Sequence, residues 1–431
     1  TYLLTPTANL TFDAMTNIAG YYPPDTTWYV GPNHYVEMIN VHLAIYNKSG
    51  TLLYGPSLIS TLFSGAGAPC QGSDDGDPIL LYDQFADRWL LSQFETTNEY
   101  VCIAISQTSD PTGAYYRYAV PTLRFPDYFK IGLWPDPNNN AYFMGTNSGY
   151  QNQYDVYALD RERMLTNGTV RSAQAFQGYA NLLMPADIDG ATLPPSNSPG
   201  LFYTLKDGGE PYFNNPATDR IEIYEFDVNW STPANSTFTL SQSITPSDGF
   251  ADFNWTVCGF FVSNCLPQPG TSVLIDSASW WPMQRLAYRN LGTRESLAGT
   301  WPVNVNSSGK WAAPRWFELS RTGGSWSLED QGTQAPDTTN RFMGSVAQDR
   351  DGNLALGYSV TSSTVSPSIR YATRYASDCP GTLQSEVTMM TGNGSQTGSA
   401  GRWGDYTNLT VDPADDCTFW YTQEYITTGG S

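Results

Sequence analysis

Short apolar runs alternate with polar turns along this chain at a spacing that suits strands and not helices. The recurring unit is an apolar run, an Asp- or Gly-led turn, then a second apolar run rich in aromatics. Ile79-Leu80-Leu81-Tyr82-Asp83 followed by Arg88-Trp89-Leu90-Leu91 is one copy. Ser345-Val346-Ala347-Gln348-Asp349 with Asn353-Leu354-Ala355-Leu356 is another. Leu409-Thr410-Val411-Asp412 with Cys417-Thr418-Phe419-Trp420 repeats it, as does Gly132-Leu133-Trp134-Pro135-Asp136 with Ala141-Tyr142-Phe143-Met144. Weaker copies turn near Gly31, Asp187 and Asp276. Each reads as a β-hairpin. Alternating third strands follow some of them, as in Tyr154–Ala158 and Ile221–Phe226.

The turns fall near 31, 83, 136, 187, 276, 349 and 412, with spacings of 52, 53, 51, 89, 73 and 63 residues. A four-stranded blade needs about 40–50 residues. The predicted fold is therefore all-β, a single seven-bladed β-propeller with four-stranded antiparallel blades across residues 1–431. The wide gap after 187 is read as an insertion loop at about 229–269, which carries three glycosylation sequons and a close cysteine pair. A β-sandwich, the competing fold, does not require a copy at each of seven roughly regular positions.

Composition agrees with many short strands: 28 Tyr, 13 Trp and 19 Phe supply apolar surface, and 38 Gly with 29 Pro supply turns. The net charge of −20, with only four lysines, disfavours nucleic acid and anionic membranes as partners. No stretch approaches the roughly 20 apolar residues of a membrane span. A start at Thr1 without a leader fits a processed N-terminus.

Six cysteines and nine Asn-x-Ser/Thr sequons (Asn9, Asn47, Asn167, Asn229, Asn235, Asn254, Asn306, Asn393 and Asn408) point to a secreted, extracellular glycoprotein of eukaryotic, fungal type. The propeller geometry pairs Cys70 with Cys102 and Cys379 with Cys417, leaving Cys258 and Cys265 to staple the insertion. A closed propeller hides its sheet edges, so a monomer is expected.

Ligands of propellers sit where the innermost strands begin, because many loops converge there on a rigid scaffold. Counting back from each turn places Asp25, Asp74, Asp75, Asp77, Asp127, Lys130, Arg341, Arg402 and Asp405 on that rim. A mixture of carboxylates, cations, Trp and Tyr suits a polar glycan. Glycoside hydrolysis needs two carboxyl groups, one kept protonated, and Asp25, Asp77 and Asp405 lie on neighbouring blades. Polysaccharide lyase chemistry needs a base and a cation; Lys130, Arg341 and Arg402 with Tyr406 or Tyr128 supply those types. Asp75, Asp127, Tyr128 and Trp403 are the expected substrate-binding residues.

With only His34 and His42, histidine-rich metal sites are disfavoured. Asp349-Arg350-Asp351-Gly352-Asn353 lacks the later acidic ligand of a calcium loop and reads better as a hairpin turn. No cofactor is expected, with a structural calcium elsewhere left open.

Five segments carry a family resemblance: Gly76-Asp77-Pro78 through Asp87-Arg88-Trp89, Arg285-Leu286-Ala287-Tyr288-Arg289-Asn290, Arg341-Phe342-Met343-Gly344-Ser345, Arg402-Trp403-Gly404-Asp405-Tyr406 and Asp416-Cys417-Thr418-Phe419-Trp420-Tyr421-Thr422. Together they resemble a family of secreted bacterial and fungal β-propeller proteins. The resemblance implies a secreted propeller. More distantly, the architecture is similar to sialidases and propeller-type polysaccharide lyases. The expected function is cleavage of an extracellular polysaccharide or glycan by a glycoside hydrolase or a polysaccharide lyase. A non-catalytic glycan-binding propeller or a protein-binding propeller is the alternative. Rim residues that differ between blades favour one asymmetric site over a lectin's repeated ones.

Overall fold

A computed structural model describes residues 4–148, 153–208, 218–246, 265–278, 281–305, 310–398 and 401–427. The turns organise the sheets, and most open on a carboxylate that caps its own backbone. Asp83 Oδ1 accepts the Ala86 N–H at 3.0 Å, Asp136 Oδ1 those of Asn138 and Asn139 at 2.9 Å, and Asp412 Oδ1 that of Ala414 at 2.9 Å. Short side chains that satisfy backbone N–H groups two or three residues on are what make Asp a turn former. Asp349 does the same for Asp351 and Asn353, so its carboxylate is engaged by its own hairpin.

These hairpins build an all-β molecule with a propeller arrangement. Four sheets are separate, four-stranded and antiparallel, over residues 27–58, 79–121, 127–179 and 340–390. The expectation of seven such separate sheets needs correcting. Residues 184–244 and 286–333 form one eight-stranded sheet, because Met184–Asp189 and Leu286–Asn290 run close enough to pair in parallel from Ala186↔Leu286 to Asp189↔Arg289. A last sheet has two strands, Asn408–Val411 and Phe419–Thr422.

The first strand of each antiparallel unit lies innermost: Thr27–Val30, Ile79–Asp83, Asp127–Trp134, Met184–Asp189, Leu286–Asn290, Asn340–Gln348 and Asn408–Val411. Each contacts the next, and the last returns to the first. Every residue of Thr27–Val30, Ile79–Asp83, Met184–Asp189 and Asn340–Gln348 is buried, whereas the outer strand Leu52–Leu58 is largely exposed. Packing is tight enough that a Cβ on Gly132 would sit 2.2 Å from the Ala186 carbonyl oxygen. Only glycine permits that approach.

The fifth hairpin turns at Asn290–Arg294, where Asn290 Oδ1 caps Gly292 at 2.9 Å, and not after Asp276. Ile275 makes only an isolated bridge to Leu266. Thr237–Ile244, inside the expected insertion, is an ordinary outer strand paired with Arg220–Asp227. Residues 4–22, without regular secondary structure, strap the ring. Thr5 and Pro6 meet Thr373 and Tyr371, and Asp13 accepts from Tyr425 at 2.7 Å. The Met15 N–H donates to Glu37 at 2.9 Å. Phe12 and Trp420 both pack against Tyr35. No helix among the described residues is long and apolar enough to cross a membrane.

Cys70 and Cys102 are bonded to each other, with Cα atoms 5.7 Å apart. Cys265 is also disulfide-bonded, and its expected partner Cys258 lies outside the described residues. The expected Cys379–Cys417 bond is absent; both are free thiols. Their loops are tied to different neighbours: Gly381 donates to Asp330 of the preceding sheet at 2.7 Å, while Lys48 of the 27–58 sheet pairs with Asp412 at 2.5 Å beside Cys417.

Among the sequons, Asn9, Asn167, Asn235 and Asn393 are exposed and Asn47 and Asn229 half-buried, while Asn254 and Asn306 fall outside the described residues. Asn408 sits on an inner strand, 1% exposed, with its amide donating to the Trp28 carbonyl at 2.9 Å. That amide is consumed by the fold, so glycosylation at Asn408 is not expected of the folded chain.

Candidate functional site: a carboxyl cluster on the rim

Five of the inner strands carry the same local departure just before or within their first few residues. Asp25, Asp77, Tyr128, Met343 and Asp405 all adopt positive φ, at 52°, 46°, 46°, 50° and 58°. Such conformations cost about 1–3 kcal/mol each for non-glycine residues and concentrate where side chains are aimed at a ligand. Here they bring Asp25, Asp77, Asp127, Lys130, Arg402 and Asp405 within electrostatic reach of one another.

Asp25 is 3% exposed. Burial, then the neighbouring Asp77 and Asp405 charges, push its carboxyl well above the usual range. Asp77 is half-buried, and its backbone N–H is tied through the Asn40 amide to the Asp25 carboxyl, at 2.8 Å on each side. Burial raises Asp77 to about 7, and raises Asp127 to about 6. Asp405 is raised by burial but held down by Arg402, with which it forms an ion pair, and by Lys130. The cluster thus contains carboxyls in different protonation states at the same pH, as expected when like charges crowd a desolvated space.

Lys130 lies under the carboxyls, 1% exposed, its ammonium 3.4 Å from the centroid of the Tyr128 ring and 3.9 Å from that of Tyr406. It donates to the Tyr128 and Phe129 carbonyls at 3.4 and 3.2 Å. Burial pulls it down to about 7, against Asp77, Asp25, Asp405 and Asp127, which hold its proton. Facing ring quadrupoles also favour the charged form. Tyr406 donates to the Pro78 carbonyl at 3.2 Å and Tyr128 to the Asp405 carbonyl at 3.3 Å, so both phenols brace strand starts.

Four expected residues sit elsewhere. Arg341 is fully buried within its own sheet, forked onto Glu386 at 2.9 and 2.8 Å and bonded to Asp337 at 3.0 Å. Trp403 is 1% exposed, packed on Phe342 and donating to Ser359 Oγ at 3.1 Å, so its ring offers no face to a ligand. Asp75 is exposed, but its carboxylate caps Thr96 at 2.7 and 3.0 Å; Asp74 caps Ser60 at 2.7 Å.

The structure adds Asn40, Trp281 and Glu424. Trp281 packs on Tyr128 with centroids 4.1 Å apart. Glu424 accepts the Gly404 N–H at 2.8 Å behind Asp405, and burial lifts it to about 8. Asn40 comes from the turn between the second and third strands of the first sheet, a loop that reaches the same rim. The aromatic run ending in Trp281 was the only signal in the sequence for any of the three.

No protein-family model matches the chain, and no curated protein does. Among solved structures, an ulvan lyase bound to -[GlcA(1-4)Rha3S]- is 10% identical over 95% of this chain and 96% of its own, with a TM-score of 0.38. The SapL1 lectin with alpha methyl fucoside is 10% identical over 86% and 97%, with a TM-score of 0.42. The alpha-L-arabinofuranosidase Arb93A of Fusarium graminearum is 10% identical over 80% and 86%, with a TM-score of 0.39. At these values the likenesses carry no argument about chemistry. What can be argued comes from the fold and the rim: an all-β propeller arrangement carrying a desolvated carboxyl cluster.

Proposed function

We propose that the protein is an extracellular glycoside hydrolase acting on a neutral glycan at this rim. The observation that carries the reading is a desolvated group of carboxyls, Asp25 and the Asp77 segment bridged by Asn40, beside Asp405, which Arg402 holds in an ion pair. Hydrolysis of a glycosidic bond asks for a protonated and an ionised carboxyl side by side. Asp77, more accessible than Asp25, protonates the leaving oxygen. Asp405, paired with Arg402, faces the developing positive charge at the sugar carbon or activates water. Asp127 bonds sugar hydroxyls.

A lyase acting on a uronate needs cations available to its carboxylate. Arg402 is engaged by Asp405, Arg341 by Glu386, and Lys130 is enclosed by two rings. That distribution favours hydrolysis over elimination. In the same reading the eight-stranded sheet is two fused blades and the two-stranded sheet an incomplete one. The chain then acts as one monomeric, secreted domain.

Incubation with a panel of neutral and uronate-containing polysaccharides tests the proposal. New reducing ends without ultraviolet absorbance from unsaturated uronates, lost in Asp77→Asn and Asp405→Asn, are expected. Absorbance would convert the reading to a lyase. Glycan binding with no cleavage would convert it to a lectin.

A further inference from the structure

The segment that carries Arg402 and Asp405 has an irregular backbone. Gly401, Gly404 and Asp405 have φ of 61°, 65° and 58°, and the Asp405 N–H turns back onto the Trp403 carbonyl at 2.7 Å. Asp405 is the non-glycine of the three, and such a conformation persists only where its surroundings over-determine it. Glu424 takes the Gly404 N–H, and Trp403 is anchored on Ser359. Further pins come from residues 265–278, which lie in sequence between the fourth and fifth inner strands. That stretch is closed by the bridge of Leu266 to Ile275, whose two hydrogen bonds are 2.9 and 2.8 Å long, and Cys265 at its start is disulfide-bonded.

Two buried glutamines join that stretch to the rim. Gln268 Oε1 accepts the Gln396 N–H at 2.7 Å, and its Nε2 donates to the Gln396 carbonyl at 3.1 Å and the Val273 carbonyl at 3.0 Å. A flip of this amide would set its oxygen against two carbonyls and its nitrogen against an N–H, so its orientation is fixed. Gln396 Nε2 in turn donates to the Arg402 carbonyl. The Asp276 N–H reaches the neighbouring Gly401 carbonyl at 2.8 Å. Thr361 Oγ1 also bonds the stretch, at the Pro267 carbonyl and 3.0 Å, by a route that bypasses Gln396. Among the described residues only Arg402 forms an ion pair with Asp405. Asp405 also faces Lys130, Asp25, Asp77, Asp127 and Glu424 and the phenols of Tyr128 and Tyr406, while Arg402 faces Asp276.

We propose that Gln268 and Gln396 are positioning residues that hold the Arg402 guanidinium on Asp405, so that residues 265–276 clamp the carboxyl that acts at the sugar carbon. This deepens the hydrolase reading and rests on it. Neither glutamine needs to touch the substrate; each acts through the Arg402 backbone. An uncharged clasp suits the task, because it adds no charge to a cluster of crowded carboxyls. Its buried donors and acceptors are costly to leave unpaired, which favours one geometry.

Gln396→Met tests this by removing the donor to Arg402 while leaving the Gln396 backbone held by Gln268. Gln268→Met, the second variant, removes the clasp on Gln396. Thr361→Val is the control, since it loosens the same stretch without touching the two amides. Carboxyl titrations are followed by NMR on protein labelled with carboxyl-13C aspartate, alongside the pH profile of cleavage. With Arg402 released, the Asp405 titration should move upward by about one unit in both glutamine variants and stay in place in Thr361→Val. The acid limb of the profile should move with it, and kcat should fall about tenfold with KM little changed. An Asp405 titration that stays in place in either folded glutamine variant, or moves equally in Thr361→Val, overturns the clamp whatever the activity. A titration that moves in the glutamine variants of a protein that cleaves no glycan upholds the clamp and overturns the hydrolase reading instead.

Discussion

Two buried charge clusters lie along the same ring of inner strands, and they are built on opposite plans. In mid-ring, Arg285 reaches Asp187 at 2.9 Å and also Asp189. Tyr29 donates to Asp187 at 3.2 Å, and the Leu133 N–H reaches its other oxygen at 3.1 Å. Burial works against the Arg285 charge, but Asp189, Tyr29 and Asp187 outweigh it and hold its proton firmly. Every carboxylate there has a cation or a donor, although burial still raises Asp187 to about 6. On the rim, four carboxyls face each other with one enclosed lysine and one arginine, and the deficit is met by protons. A cluster satisfied by fixed partners holds strands together, whereas one satisfied by protons can exchange them with a substrate.

Breaking the mid-ring cluster should have the largest effect. Arg285→Met leaves buried carboxylates without their cation and should cost about 3–5 kcal/mol in urea unfolding. Breaking the rim should act on rate instead. Asp77→Asn is expected to lower kcat by about 10²–10⁴-fold while leaving stability unchanged or raised. Comparable destabilisation by the two substitutions would erase the distinction drawn here.

The pH dependence sharpens it further. The folded-state pKa of Asp77 is raised to about 7, so the folded chain binds more protons than the unfolded one between the ordinary carboxylate range and that value. Stability from this site is full at acid pH and is lost as pH rises toward 7. Melting temperatures from pH 4.5 to 8 should fall, and fall less in Asp77→Asn. The smallest effect on activity is expected from Arg341→Lys. Loss of the fork onto Glu386 should cost about 1–3 kcal/mol of stability with kcat/KM unchanged.

How much of this was legible in the sequence depended on which geometric rule carried the information. The hairpins were readable because Asp83, Asp136, Asp349 and Asp412 announce turns that they also cap. The fifth was misplaced because Ile275-Asp276 imitates that signal while the true turn opens with Asn290. Counting back from a turn gave the height of a residue on its strand, and this gathered Asp25, Asp77, Asp127, Lys130 and Asp405. It did not give direction. The register shift between Phe342 and Ser345 turns the strand just where Arg341 was expected to face inward, and a one-residue slip reverses the face of a side chain. Asn40 was invisible to that count because it sits on a second set of loops that reach the same rim.

The ring is closed by Trp28 and Asn408, which exchange hydrogen bonds at 2.7 and 2.9 Å across 380 positions of sequence. A ribosome delivers these partners far apart in time, roughly 20 to 80 s at about 5–20 residues per second. Throughout that interval the nascent sheet around Trp28 presents an open edge that any other strand can join. Ring closure therefore waits for the last inner strand, however early the first sheet forms.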